Sequence, residues 1–185
     1  SPRLSWVLEA ARRLGAGPYE RACAMAAVFE SSGERRPDQA ADLWSLAVEL
    51  LGGSREELPR EAVESFRQLK GLFAEAGPAE PAPAGGPARI WLEAFVDRLA
   101  AREGEGRFYR LADGRGALLP AVKEPPPLIL ALEIRGRAGG GQARQTTASL
   151  YLPVEVEAVE RAFPGECAWS KASELDEKRG RVVKE

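Results

Sequence analysis

The sequence predicts an α+β protein: an N-terminal helical bundle followed by a small antiparallel-sheet domain with flanking helices. Three observations carry this. Apolar residues recur at three- and four-residue spacing through the first 76 positions, and beyond Arg107 they alternate. Between the two patterns lies GPAEPAPAGGP, residues 77–87, whose prolines remove backbone donors and disfavour helix. The expected layout is a helical bundle over 1–76, a Pro/Ala/Gly-rich connector over 77–88, an α+β domain over 89–169 and a charged tail over 170–185.

Ser1 and Pro2 suit the N-cap and first position of a helix, and Leu4, Val7, Leu8, Ala11 and Leu14 give it one apolar stripe. After Gly15-Ala16-Gly17-Pro18, a second stripe runs through Tyr19, Ala22, Cys23, Ala26 and Phe29, and Ser31-Ser32-Gly33 ends it. The third takes Ala40, Leu43, Trp44, Ala47, Val48 and Leu51 and stops at Gly52-Gly53. Ser54 and Glu57 have capping-box spacing, but Pro59 moves the start of the next helix, with Ala62, Phe66, Leu69 and Phe73 as its stripe. Short connections favour antiparallel neighbours.

Ile90, Trp91, Ala94, Phe95 and Leu99 predict a fifth helix, placed to cover the buried side of a sheet. Phe108 to Leu111 reads as a strand, Asp113-Gly114 as a turn, and Ala117 to Val122 as an edge strand bearing Pro120. The strongest hairpin pairs Leu128, Leu130, Leu132 and Ile134 with Ala148, Leu150 and Leu152 across the tip Gly139-Gly140-Gly141. Gln145, Thr147, Ser149 and Tyr151 are expected on its wet face. Val156, Val159 and Phe163 predict a last helix, ended by Pro164-Gly165; the tail is expected to be loosely held unless Val182 and Val183 find a partner.

The 185 residues contain no histidine, so no His-based triad, imidazole acid/base or His metal site can form within them. With 26 basic and 28 acidic residues, bulk charge does not point to a coat on nucleic acid. Cys23 and Cys167 are too few for a disulfide scaffold and too far apart in sequence for a Cys-x-x-Cys motif. No apolar run approaches the roughly 18 residues of a membrane span, and the cytoplasm is the default expectation.

Phosphate-cradle chemistry needs backbone amides that open onto a helix, and GRAGGG at 136–141 has neither the Gly-x-Gly-x-x-Gly spacing nor a following helical pattern. Asp38 with Asp42 and Glu93 with Asp97 have helical spacing, but no further ligands converge by signature, so they read as solvated faces. Cys23 reads as core; Cys167, beside Trp169, and Ser170-Lys171 lack a base in register. No catalytic residue, metal or cofactor is therefore assigned. Trp44 and Trp91 are expected in the core.

Charge asymmetry is the remaining signal. From Arg98 to Pro153 nine basic residues face five acidic ones. Arg135, Arg137 and Arg144 flank the glycine tip, while Arg107 and Arg110 flank Phe108 and Tyr109, a pattern suited to phosphates plus stacked bases, or to an acidic protein. The expected function is a noncatalytic protein-interaction or assembly module with an unidentified partner. The alternatives are a nucleic-acid-binding accessory protein that uses Arg107, Tyr109, Arg110, Arg135, Arg137 and Arg144, and an enzyme with an unrecognised carboxylate or thiol site.

Overall fold

The predicted helical stripes become helices in the computed structural model, which describes residues 1–31, 39–53, 58–72, 86–136, 146–165, 173–176 and 181–184. Helix α1 (Pro2–Arg13) buries Leu4, Val7, Leu8 and Ala11. Helix α2 (Ala16–Glu30) starts earlier than expected, because Gly15 takes φ 102 and Pro18 sits in the first turn, where no amide needs an intrahelical acceptor. Helix α2 buries eight residues from Tyr19 to Val28 and is the most enclosed of the helices, with α1, α3 and α4 against it.

Helix α3 (Leu43–Gly52) does not include Ala40. Strand β1 (Ala41–Asp42) precedes it, and Asp42 caps it by accepting from the Trp44 amide at 2.8 Å and the Ser45 hydroxyl at 3.0 Å. Gly53 closes the helix in the left-handed region at φ 79. Trp44 is a correction: it is 38% exposed, because Leu43 takes the buried position at the start of α3 and the next residue turns about 100° around the helix toward the surface. Helix α4 (Arg60–Leu72) follows Pro59 as expected, and Lys70 pairs with Glu20 of α2. Helix α5 (Gly86–Ala94) takes in the last residues of the proposed connector and supplies fully buried Trp91 and Leu92.

Helix α5 stops at Ala94 and not at Leu99. A 3-10 turn (Val96–Arg98) leads into strand β2 (Leu99–Arg102). Arg3 of α1 ties down this turn, donating to both oxygens of Asp97 at 2.6 and 3.3 Å while lying 5.3 Å from the Phe95 ring centroid. The Arg3 guanidinium holds the Asp97 carboxyl below its ordinary range. Strands β3 (Phe108–Leu111), β4 (Gly116–Leu118), β5 (Leu128–Gly136) and β6 (Thr146–Pro153) follow, then helix α6 (Val156–Ala162). The tail forms a ribbon of β7 (Ser173–Asp176) and β8 (Arg181–Lys184), in which Val182 and Val183 sit opposite Leu175 and Glu174.

The class α+β holds, but the expected small antiparallel sheet is a closed barrel. Strand β2 pairs with both β3 and β5, β3 with β4, β4 with β6, and β6 with β5, so five strands form a ring in the order β2-β3-β4-β6-β5. The β4–β6 pair is parallel, registered at Leu118 opposite Thr147, and β1 adds to β6 in parallel. Closure explains the second correction, since the β5–β6 hairpin has no wet face over its central residues. Leu130, Leu132, Leu150 and Leu152 pack against the helices, whereas Ile129, Ala131, Ala148 and Tyr151 fill the barrel with Tyr109, Leu111 and Leu119. A register irregularity between Ala131 and Ile134 shifts the alternation. Ser149 is fully buried.

Asp38, the Ser54–Glu57 box, Phe73, most of the connector, the glycine tip with Arg137 and Arg144, Gln145, Cys167, Trp169 and Ser170-Lys171 lie outside the described residues. Among the described residues no helix is long and apolar enough to cross a membrane.

Candidate nucleic-acid interface

The β3–β4 hairpin sets out the most distinctive outer face of the barrel. Its turn closes by the Gly114 amide donating to the Leu111 carbonyl at 2.9 Å, with Gly114 at φ 82 and the Asp113 carboxylate accepting from the Arg115 amide at 3.0 Å. Alternation then sends Tyr109, Leu111 and Ala117 inward and leaves Phe108, Arg110, Gly116 and Leu118 on the other face.

Phe108 is 42% exposed, a large aromatic area left in water. Its ring lies diagonally over Gly116. A Cβ there would overlap the ring tip and stand 3.0 and 3.1 Å from the two Cε atoms, so the missing side chain is what lets the ring lie across the strand. Tyr109 is the opposite case and corrects the expectation for its ring: it is fully buried in the barrel, and its hydroxyl donates to the Pro126 carbonyl at 2.5 Å. Burial raises the Tyr109 phenol to about 12 and also raises Tyr19 and Tyr151, so all three tyrosines resist ionisation when folded.

The sign follows from linkage. A phenol with a raised folded pKa contributes fully below the unfolded value of about 10, and the contribution is lost as pH rises through the folded value. Stability measured by denaturant titration should therefore fall between about pH 10 and about pH 12. Tyr109→Phe should reduce the alkaline slope; an unchanged slope would show that Tyr109 ionises as readily folded as unfolded.

Most basic groups around the barrel already have partners. Arg98 lies 3.5 Å from Asp97, Arg102 donates to the Pro125 carbonyl at 2.6 Å, Arg110 pairs with Glu103 and reaches the Gly114 carbonyl, and Arg115 pairs with Asp113 at 2.6 Å. Arg135 donates twice to one oxygen of Glu133, at 2.9 and 2.5 Å. Among the described residues of the barrel, the Arg107 guanidinium and the Lys123 ammonium have no hydrogen-bond or ion-pair partner. Both line one open cleft of about 450 Å³ at the end of the barrel, with Glu105, Gly106, Ala121, Val122 and Pro125. Ala121 holds φ 56 there, a left-handed conformation that costs a non-glycine residue roughly 1–2 kcal/mol.

The structure thus keeps Arg107 of the expected set at an accessible site, turns Tyr109 inward, and pairs Arg110 and Arg135 with carboxylates. Sequence reasoning missed Gly116 and Lys123. The glycine opposite an aromatic on a neighbouring strand was a usable signal; Lys123, between Pro120 and Pro125, belongs to no periodic pattern. The candidate carboxylate pairs are also used structurally, with Asp42 as a cap and Glu93 bonded to Arg89 at 2.8 Å. Cys23 is buried among apolar neighbours, and burial raises its thiol.

No protein-family model and no curated protein matches the chain. Among solved structures it is similar to the DExH-box NTPase HrpB of E. coli, with a TM-score of 0.62 and 23% identity. It is also similar to a structure described as the Escherichia coli DEAH/RHA helicase HrpB, with a TM-score of 0.57 and 20% identity. Each match covers 100% of this chain and 21% of the other, so the chain spans about a fifth of the length of those structures. At these identities the likeness is one of fold.

Proposed function

We propose that this chain is a noncatalytic nucleic-acid-binding module of the kind carried by a helicase-type ATPase. The observation that carries the reading is the barrel. Numbered within itself, it closes in the order 1-2-3-5-4, the Greek-key arrangement of OB-type barrels, whose second and third strands and neighbouring loops commonly take oligonucleotides. Here that face is β3–β4 with Phe108, and the loop 103–107 leads into it; Arg137 and Arg144 belong to the sequence between β5 and β6. The whole-chain likeness to a fifth of a DExH-box NTPase supports the same reading.

The test is a titration of labelled single- and double-stranded oligonucleotides at low and moderate salt. Binding should weaken as salt rises, and Arg137→Ala with Arg144→Ala should reduce the single-strand salt slope by about 1.4, about 0.7 for each phosphate that is no longer neutralised. Absence of saturable binding to any strand at low salt would overturn the proposal.

A second reading, the protein-interaction module, is favoured by α3. Trp44 and Val48 stand one turn apart on its surface, 38% and 47% exposed. Trp44 also lines a cleft of about 360 Å³ with Arg21, Met25, Ala88, Leu152 and Pro153.

A further inference from the structure

We infer that the cleft between residues 105–107 and 121–125, together with the adjoining Phe108 ring, is a subsite for one nucleotide unit of a single strand. A base stacks on Phe108, and the neighbouring phosphate lies between Arg107 and Lys123. The inference rests on the nucleic-acid reading above and assigns that reading a place and a strand type.

Four observations converge here. Phe108 is 42% exposed, and its ring tip occupies the space over Gly116 that a Cβ would fill. Arg107 immediately precedes Phe108 in the chain, and its carbonyl accepts from the Leu119 amide at 2.8 Å, so the strand carrying the ring and the loop carrying Lys123 are fixed to each other. Arg107 and Lys123 are the two barrel cations without a partner among the described residues, and both line the same cleft. The strained Ala121 shapes the opposite wall.

The strand type follows from the chemistry. An exposed aromatic ring gains from a base whose π-face is open, and in a duplex those faces are covered by neighbouring base pairs. A guanidinium and an ammonium bind phosphate oxygens on DNA and RNA alike, so the site fits the single-strand backbone of either. Glu105 is the one acidic residue of the lining, and its charge steers the phosphate toward the Arg107 and Lys123 side.

The experiment measures anisotropy of labelled oligo(dT), oligo(U), a duplex of equal length and an abasic single strand, with the full chain. Phe108→Ala should weaken oligo(dT) and oligo(U) about 5- to 100-fold and leave the abasic strand little changed. Phe108→Trp should restore affinity, with indole fluorescence quenched on binding. Gly116→Ala, which displaces the ring, should follow Phe108→Ala. Arg107→Ala with Lys123→Ala should weaken all single strands, abasic included, and lower the salt slope by about 0.7, the share of the one phosphate held between them. Glu105→Gln should do the reverse and tighten binding, a sign that a general loss of folding does not produce. If the chain binds single strands while Phe108→Ala and the double variant leave both affinity and slope unchanged, the subsite is wrong and the function reading stands. Tighter binding of the duplex than of any single strand overturns the strand assignment, and no binding at all overturns both.

Discussion

Trp91→Ala is expected to cost about 3–5 kcal/mol of stability, because the side chain is fully buried and its removal leaves a cavity. Its ring stacks on Phe95 at 5.2 Å with a 12° interplanar angle and meets the edge of Phe29 at 5.8 Å, and Phe29 and Phe95 are themselves 5.6 Å apart. Three rings from α2 and the α5 end therefore pack as one group. The same apolar cluster continues into Leu130, Leu132, Leu150 and Leu152 of the barrel, so the loss falls where helices and barrel meet. Trp91→Phe should cost far less. It keeps a ring in the stack and gives up an indole N–H that has no acceptor among the described residues. Urea unfolding of the three proteins gives the comparison: equal midpoints for wild type and Trp91→Ala would mean that the stack carries no stability. The curve shape also tests the division proposed at the connector. Units over 1–76 and 89–169 that fold independently should unfold in two steps once this aromatic packing is removed.

Local chemistry made much of the fold legible. The apolar stripes of α1, α2 and α4, the stop at Gly53, the turn at Asp113-Gly114 and the β5–β6 hairpin all depend on residues within a few positions of one another, and each was readable. Strand β2 was not, since Leu99-Ala100-Ala101-Arg102 consists of good helix formers following a helical stripe; only pairing with β3 and β5 makes it a strand. Barrel closure was hidden for a related reason. It hangs on a single registered parallel pair, Leu118 with Thr147, that joins residues 29 apart and leaves no periodic trace. The candidate site was half legible in the same way. Phe108 and Arg107 stand out as an aromatic and a cation in sequence, but which of two adjacent aromatics faces water is decided by which side of the strand becomes the barrel interior. Which arginines are available is decided by the carboxylates that folding brings beside them, as Glu103 is brought to Arg110 and Glu133 to Arg135.

Leu150→Ala and Tyr151→Ala, adjacent on β6 and pointing opposite ways, should both be severely destabilising. Leu150 is fully buried against the helices, and Tyr151 is 7% exposed within the barrel. Truncating Leu150 should cost about 2–5 kcal/mol, and truncating Tyr151 about 3–5 kcal/mol by the same transfer and cavity terms. Thr147→Ala, half-buried near the strand end with its hydroxyl 3.4 Å from the Arg135 carbonyl, should stay within about 1 kcal/mol. An open hairpin with one wet face makes a different forecast, in which Leu150 matters and Tyr151 does not. Thermal and urea unfolding of the three variants separates the two arrangements, because a ring of strands with helices laid on its outside places core on both sides of β6, and an open hairpin with one wet face does not. A Tyr151→Ala protein as stable as the Thr147→Ala protein would mean that the ring does not close at β6.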